Sequence, residues 1–248
     1  MILPPTRKVL STIQKHGVKA LLMGGQACVL YGAVEVTFDT DIAVLVEREN
    51  IEALRRALTE LEAERIAVPP FDPEYLERGF FVHFRCFHPD AMRQRLDVAS
   101  NMRGVAPFNE LWERRAILAD EDGTEYAVLS LADLVQSKKT QRDKDWPMIR
   151  RLLEADYRLR RSRPKELDVQ FWLLEIRTPE LLIELARDFP TAQRSLTSMR
   201  PLLAHADLQT QQLLERELVE EELAERERDR GYWAPLKKEL EQLRRLRS

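Results

Sequence analysis

The sequence predicts an α/β (α+β) domain with a mixed sheet over residues 1–145, followed by an all-helical domain over residues 146–248. Three observations carry this prediction. Up to Asp145, short apolar runs of strand length alternate with amphipathic helical stretches. After Asp145 the pattern becomes leucine-rich and helical, with no convincing strand. Such a change from mixed to purely helical elements is the mark of two domains, and 248 residues suffice for two modest ones.

The elements follow in order. "TRKVLSTIQKHG" sets Val9, Leu10 and Ile13 at helical spacing, with Gly17 as a C-terminal cap. "VKALLM" reads as a buried strand, and Gly24-Gly25 lead into a small-residue helix, "QACVLYG", closed by Gly32. "TDIAVLVE" is a second strand. "RENIEALRRALTELEAE" is an amphipathic helix presenting Ile51, Leu54, Leu58 and Leu61. Residues 80–87 and 95–100 form a hairpin about His88-Pro89-Asp90. "NELWERRA" is a helix and "TEYAVLS" a further strand. Ser130-x-x-Asp133 then opens the next helix in the manner of a capping box. The later helices are broken at Arg163-Pro164, Phe189-Pro190, Arg200-Pro201 and Gly231.

Composition narrows the function classes. No apolar stretch approaches the ~20 residues of a membrane helix, and the N-terminus lacks the pattern of a signal peptide. Cys28 and Cys86 stand in unrelated contexts, so a disulfide framework is not expected and a cytoplasmic location is. The net charge of −3 hides a basic segment. Residues 138–165 carry eleven Lys and Arg against four acids, and Arg158, Arg160, Arg161 and Arg163 are candidates to track an RNA backbone.

Asp39 and Asp41 are the sharpest chemical signal. Side chains alternate along a strand, so positions i and i+2 project from one face. Two carboxylates held close repel, and one is pushed toward protonation unless a cation lies between them. Magnesium suits that place, because it takes oxygen ligands and keeps positions for phosphate. The alternative is a pair of loop aspartates at a strand edge. Gly24 and Gly25, at a strand-to-helix turn, expose backbone N–H groups fit for phosphate, although tight turns use the same residues. Asp97, between Leu96 and Val98, is placed to complete a three-carboxylate site. Its alternative is a salt bridge with Arg93 or Arg95. Lys138, Arg142 and Lys144 offer charge for a triphosphate, or else form a solvated helix face. His83, Cys86 and His88 do not converge on zinc, because alternation turns His83 away from the other two.

"GGQACVLYG…TFDTDIAVLV" resembles the glycine-glycine and Asp-x-Asp signature of the polymerase-beta-like nucleotidyltransferase superfamily, in the branch of minimal nucleotidyltransferases and type IV abortive-infection toxins. "LSLADLVQSKKTQRDKDWPMI" extends the resemblance, its Leu131, Asp133, Leu134, Lys138, Arg142, Lys144 and Asp145 falling where that branch has similar residues. The resemblance spans about residues 18–150. It implies a nucleotidyltransferase fold and magnesium-dependent transfer of a nucleoside monophosphate from an NTP to a hydroxyl of tRNA or protein. It further implies a toxin–antitoxin or phage-defence setting with a cognate antitoxin as partner. On it, Asp39, Asp41 and Asp97 are the catalytic and metal-binding residues, while Gly24, Gly25, Thr37, Lys138, Arg142 and Lys144 bind the nucleotide. Two positions depart from the pattern: Gly25, where many members have serine, and Glu35, where an arginine is often found. Glu35 favours a rival reading, a partner-binding protein on the same fold. A second rival transfers the nucleotide to a small hydroxylated molecule of the antibiotic kind.

Overall fold

Helix α1 (Pro4–Lys15) starts on two prolines, whose fixed φ suits the first turn and whose missing N–H groups would be unpaired there in any case. It buries Val9, Leu10 and Ile13, the stripe its spacing predicts. Strand β1 (Ala20–Met23) runs directly into α2 (Gly24–Leu30), and then come β2 (Asp39–Val44) and α3 (Arg48–Glu60). Helices α1 and α3 pack together, α3 contributing buried Ile51, Leu54 and Leu58. Next are β3 (Glu64–Arg65), α4 (Pro73–Glu77), β4 (Val82–Arg85) and β5 (Arg95–Ala99), followed by α5 (Phe108–Glu113), β6 (Ala116–Ala119), β7 (Glu125–Val128) and α6 (Leu131–Ser137). This computed structural model describes residues 2–33 and 37–247.

The seven strands form one mixed sheet in the order β3-β4-β5-β2-β1-β7-β6. The two central strands β2 and β5 are parallel, with Asp39 beside Arg95, Thr40 beside Leu96 and Asp41 beside Asp97. β1 lies antiparallel to β2 and sets Met23 beside Asp41. The predicted hairpin is present: β4 lies antiparallel to β5, and a short 3-10 turn over Pro89–Ala91 connects them. Thr40, Ile42, Leu96, Val98, Val82 and Phe84 are all buried, so the polar side chains alternating with them project from the other face.

One predicted helix end moves, and two strands appear that were not foreseen. The helix expected over "NELWERRA" stops at Glu113, and Ala116 begins a strand. Arg114 leaves the helix and forks onto buried Asp133, with Nε 2.8 Å from Oδ2 and Nη2 2.6 Å from Oδ1. Asp133 also accepts from the Ser130 hydroxyl at 2.6 Å, and its own N–H reaches Ser130 Oγ at 3.2 Å, the capping geometry foreseen at the start of α6. Strands β3 and β6 are edge strands that the sequence pattern does not announce. The short, half-exposed β6 is fixed by pairing with β7 and not by an apolar alternation of its own.

The chain divides into two compact units, Met1–Ser137 with Tyr232–Ser248, and Lys138–Gly231. Among the described residues the second unit has no strand. It comprises α7 (Asp145–Arg160), α8 (Glu166–Glu175), α9 (Pro179–Asp188), α10 (Pro190–Leu196), a 3-10 turn over Pro201–His205, and the part of α11 (Gln211–Arg247) up to Gly231. Its core includes Trp172, packed edge-on to Tyr157 at 5.0 Å between ring centroids, with the indole N–H donating to Asp156 at 2.7 Å. Buried Arg177 and Arg200 share Glu221, at 2.9 and 2.8 Å. The break expected at Gly231 is absent, because α11 continues through Gly231 and also through Pro235. A glycine costs a helix about 1 kcal/mol, a deficit that strong helix formers and the pairs Arg228–Glu225 and Arg230–Glu227 offset here.

Candidate active site

The turn from β1 into α2 is shaped by what packs against it. Gly24 has φ +66°, a conformation that costs other residues strain. A Cβ added there would lie 1.9 Å from Asp41 Oδ2, and one added at Gly25 would lie 2.7 Å from Thr37 Oγ1. Both glycines are therefore required for close approach: the space a side chain would fill is taken by the Asp41 carboxylate and the Thr37 hydroxyl. Gln26 ties the arrangement down by donating to the Thr37 carbonyl at 3.1 Å. Gly24, Gly25, Thr37 and Asp41, four of the residues singled out in the sequence, thus meet at one turn.

Asp39, Asp41 and Asp97 come together on one face of β2 and β5, as strand alternation and the parallel register require. Asp97 is 7% exposed and fully engaged. Arg95 forks onto it, Nε at 2.8 Å from Oδ1 and Nη2 at 3.0 Å from Oδ2, and His83 Nδ1 stands 2.9 Å from Oδ1. Arg95 Nη2 also lies 3.2 Å from that imidazole nitrogen. The salt-bridge alternative named Arg93 or Arg95, and the structure has Arg95.

The charges settle accordingly. Burial alone would push the Asp97 carboxyl up, but hydrogen bonds from His83 and Arg95 outweigh it and hold the group below the ordinary carboxylate range. Like-charge repulsion is expected to raise the pKa of at least one of the three carboxylates; at Asp97 the direction is downward, because His83 and then Arg95 donate to it. Arg95 in turn is held more firmly protonated, first by its hydrogen bond to Asp97 and further by the nearby charges of Asp97, Asp39 and Asp41.

Lys138, Arg142 and Lys144 belong to the second unit. There Lys138 Nζ lies 3.4 Å and Arg142 Nε 2.7 Å from the carboxylate of Asp145, which is 1% exposed. Thr140 donates to the same carboxylate at 2.6 Å. Two of the three cations therefore neutralise a buried acid, while Lys144 is exposed just before α7. In the basic segment, Arg158 pairs with Glu154, Arg160 bridges Asp156 and Asp168, and Arg161 approaches Glu184 at 4.0 Å. Much of its charge is spent inside its own unit. Glu35 lies outside the described residues.

His83 is the site residue whose part the sequence reading did not assign, Arg95 being named there in the salt-bridge alternative for Asp97. Alternation on β4 already set His83 opposite Cys86, and the structure puts it on the carboxylate face while Cys86 is buried. Among the described residues, no group of three or more His, Cys, Asp or Glu side chains stands ready to hold a metal ion. Asp39 and Asp41 nonetheless share one face, and magnesium needs only one or two carboxylates when substrate phosphates complete its shell. On that donor chemistry the pair fits magnesium; Asp97 fits only once its oxygens are released. No described helix is long and apolar enough to cross a membrane. No protein-family model matches the chain, and no curated protein matches it.

Proposed function

We propose that the chain is a magnesium-dependent nucleotidyltransferase that moves a nucleoside monophosphate from an NTP to an acceptor hydroxyl. The observation that carries this reading is the register of two parallel strands: it sets Asp39, Asp41 and Asp97 on one face, beside a glycine turn packed against Asp41. Asp39 and Asp41 would hold magnesium, which when bound supplies charge neutralisation and in-line alignment at the α-phosphate. Gly24, Gly25 and the Thr37 hydroxyl form the adjoining edge, where the phosphates would lie. Asp97 would accept the hydrogen bond of the acceptor hydroxyl. With its pKa held low it acts there mainly as a fixed negative charge, since an efficient proton acceptor has a pKa near the working pH. Both cysteines are buried, and the transfer proposed is a direct in-line displacement. A tRNA or protein acceptor, and an antitoxin partner, follow from the family resemblance.

The test is transfer itself. With magnesium and labelled NTPs, the protein should label an acceptor in a tRNA pool or in extract of its own host, and Asp39→Asn or Asp41→Asn should abolish labelling while circular dichroism stays unchanged. One observation favours a second reading, a partner-binding protein on the same framework: Arg95 and His83 already balance the charge of Asp97. That reading prevails if folded protein binds magnesium and NTP yet labels nothing.

A further inference from the structure

We propose that Arg95 is the resident cation of this site, holding Asp97 while no metal is bound and releasing it when metal binds at Asp39 and Asp41. The inference rests on the metal-binding reading given above and adds to it a residue that decides when the third carboxylate becomes available.

The geometry has three parts. First, Arg95 engages both oxygens of Asp97, Nε on Oδ1 and Nη2 on Oδ2, so the guanidinium is the cation that balances that carboxylate. Second, the β2/β5 register puts Asp39 directly beside Arg95 and Asp41 beside Asp97, so the guanidinium stands among all three carboxylates. Third, the Arg95 side chain is 38% exposed, whereas Asp97 is almost covered. The arginine has somewhere to go and the aspartate does not. Besides the three carboxylates, His83 Nδ1 lies 3.2 Å from Arg95, and Arg85 is its register partner on β4.

A structural salt bridge and an exchangeable one differ in the effect of removing the arginine. Where Arg95 merely supports Asp97, its loss lets the carboxylate wander and metal binds no better. Where Arg95 competes with metal, its loss frees Asp97 Oδ2, with His83 remaining on Oδ1, and metal binds more tightly. A charge-assisted, bidentate contact is strong enough for the gain to reach about tenfold.

The experiment is titration of the full chain with manganese alone, followed by electron paramagnetic resonance, on wild type, Arg95→Met, Arg95→Lys, Arg85→Met and Arg95→Met/Asp97→Asn. Arg95→Met should bind manganese about tenfold more tightly than wild type, with Arg95→Lys in between, because lysine cannot fork. Arg85→Met removes the same charge from the neighbouring strand without touching Asp97, and should leave affinity within about twofold of wild type, its exposed charge being largely screened. Adding Asp97→Asn should erase the gain. Equal or weaker binding by Arg95→Met, or an equal gain in Arg85→Met, overturns the proposal and leaves the metal site standing. If the folded wild type and Arg95→Met both fail to bind manganese, the metal-binding reading falls and this inference falls with it.

Discussion

Replacing Gly24 by alanine tests the claim that the glycine turn exists to admit Asp41. Two costs arise from the structure. At φ +66° a residue with a Cβ incurs about 1–2 kcal/mol of backbone strain. The new methyl would also lie 1.9 Å from Asp41 Oδ2 and 2.5 Å from its Cγ, so the carboxylate must move or the turn must open. Forced overpacking of that kind costs about 1–3 kcal/mol. Gly17 supplies the control: its φ is +70°, but nothing lies within 4 Å of an added Cβ. Gly17→Ala carries the strain without the clash, and the entropy lost from the unfolded chain is the same for both changes. Urea unfolding of the two variants should therefore separate them by about 1–3 kcal/mol, with Gly24→Ala the less stable. In an Asp41→Ala background the separation should shrink, because the two nearest atoms are gone while Cβ remains at 2.7 Å. If Gly24→Ala unfolds at the same urea concentration as Gly17→Ala, the close approach of Asp41 is not what requires glycine, and the account of the turn fails.

Asp97, with a folded-state pKa below its unfolded one, contributes stability that is complete above the unfolded value of about 3.9 and is lost as pH falls through the depressed folded value. Urea midpoints measured from pH 6 down to pH 2 should fall less steeply in Asp97→Asn than in wild type, and parallel curves would refute the assignment. Asp145→Ala should destabilise the helical unit by about 3–5 kcal/mol, because it leaves the almost covered Lys138 without its carboxylate. A loss under about 1 kcal/mol in urea unfolding, the range of exposed ion pairs, would show that Lys138 and Arg142 are not committed to Asp145.

Some of this protein is determined by the sequence alone, because its cause is local. The spacing of Val9, Leu10 and Ile13 marks the buried face of α1, and Ser130 with Asp133 caps α6 through a contact three residues long. Strand alternation by itself sets Asp39 and Asp41 on one face, and likewise Arg95 and Asp97, since a period of two needs no knowledge of neighbours. Other features were decided only in the tertiary structure. Which strand lies beside β2, and in what register, depends on pairing between residues some fifty positions apart, and that pairing brings Asp97 to Asp41, while the register of the β4/β5 hairpin brings His83 to Asp97. A one-residue slip would turn the Asp97 carboxylate to the opposite face, so the site exists through a register that no local pattern states. The short strand β6 shows the same limit: its strand state comes from pairing with β7 and not from a pattern of its own. The charge of Asp97 is the clearest case. Three carboxylates in a sequence point to repulsion and a raised pKa in at least one of them, while at Asp97 the folded chain lowers it by placing His83 and Arg95 at hydrogen-bond distance.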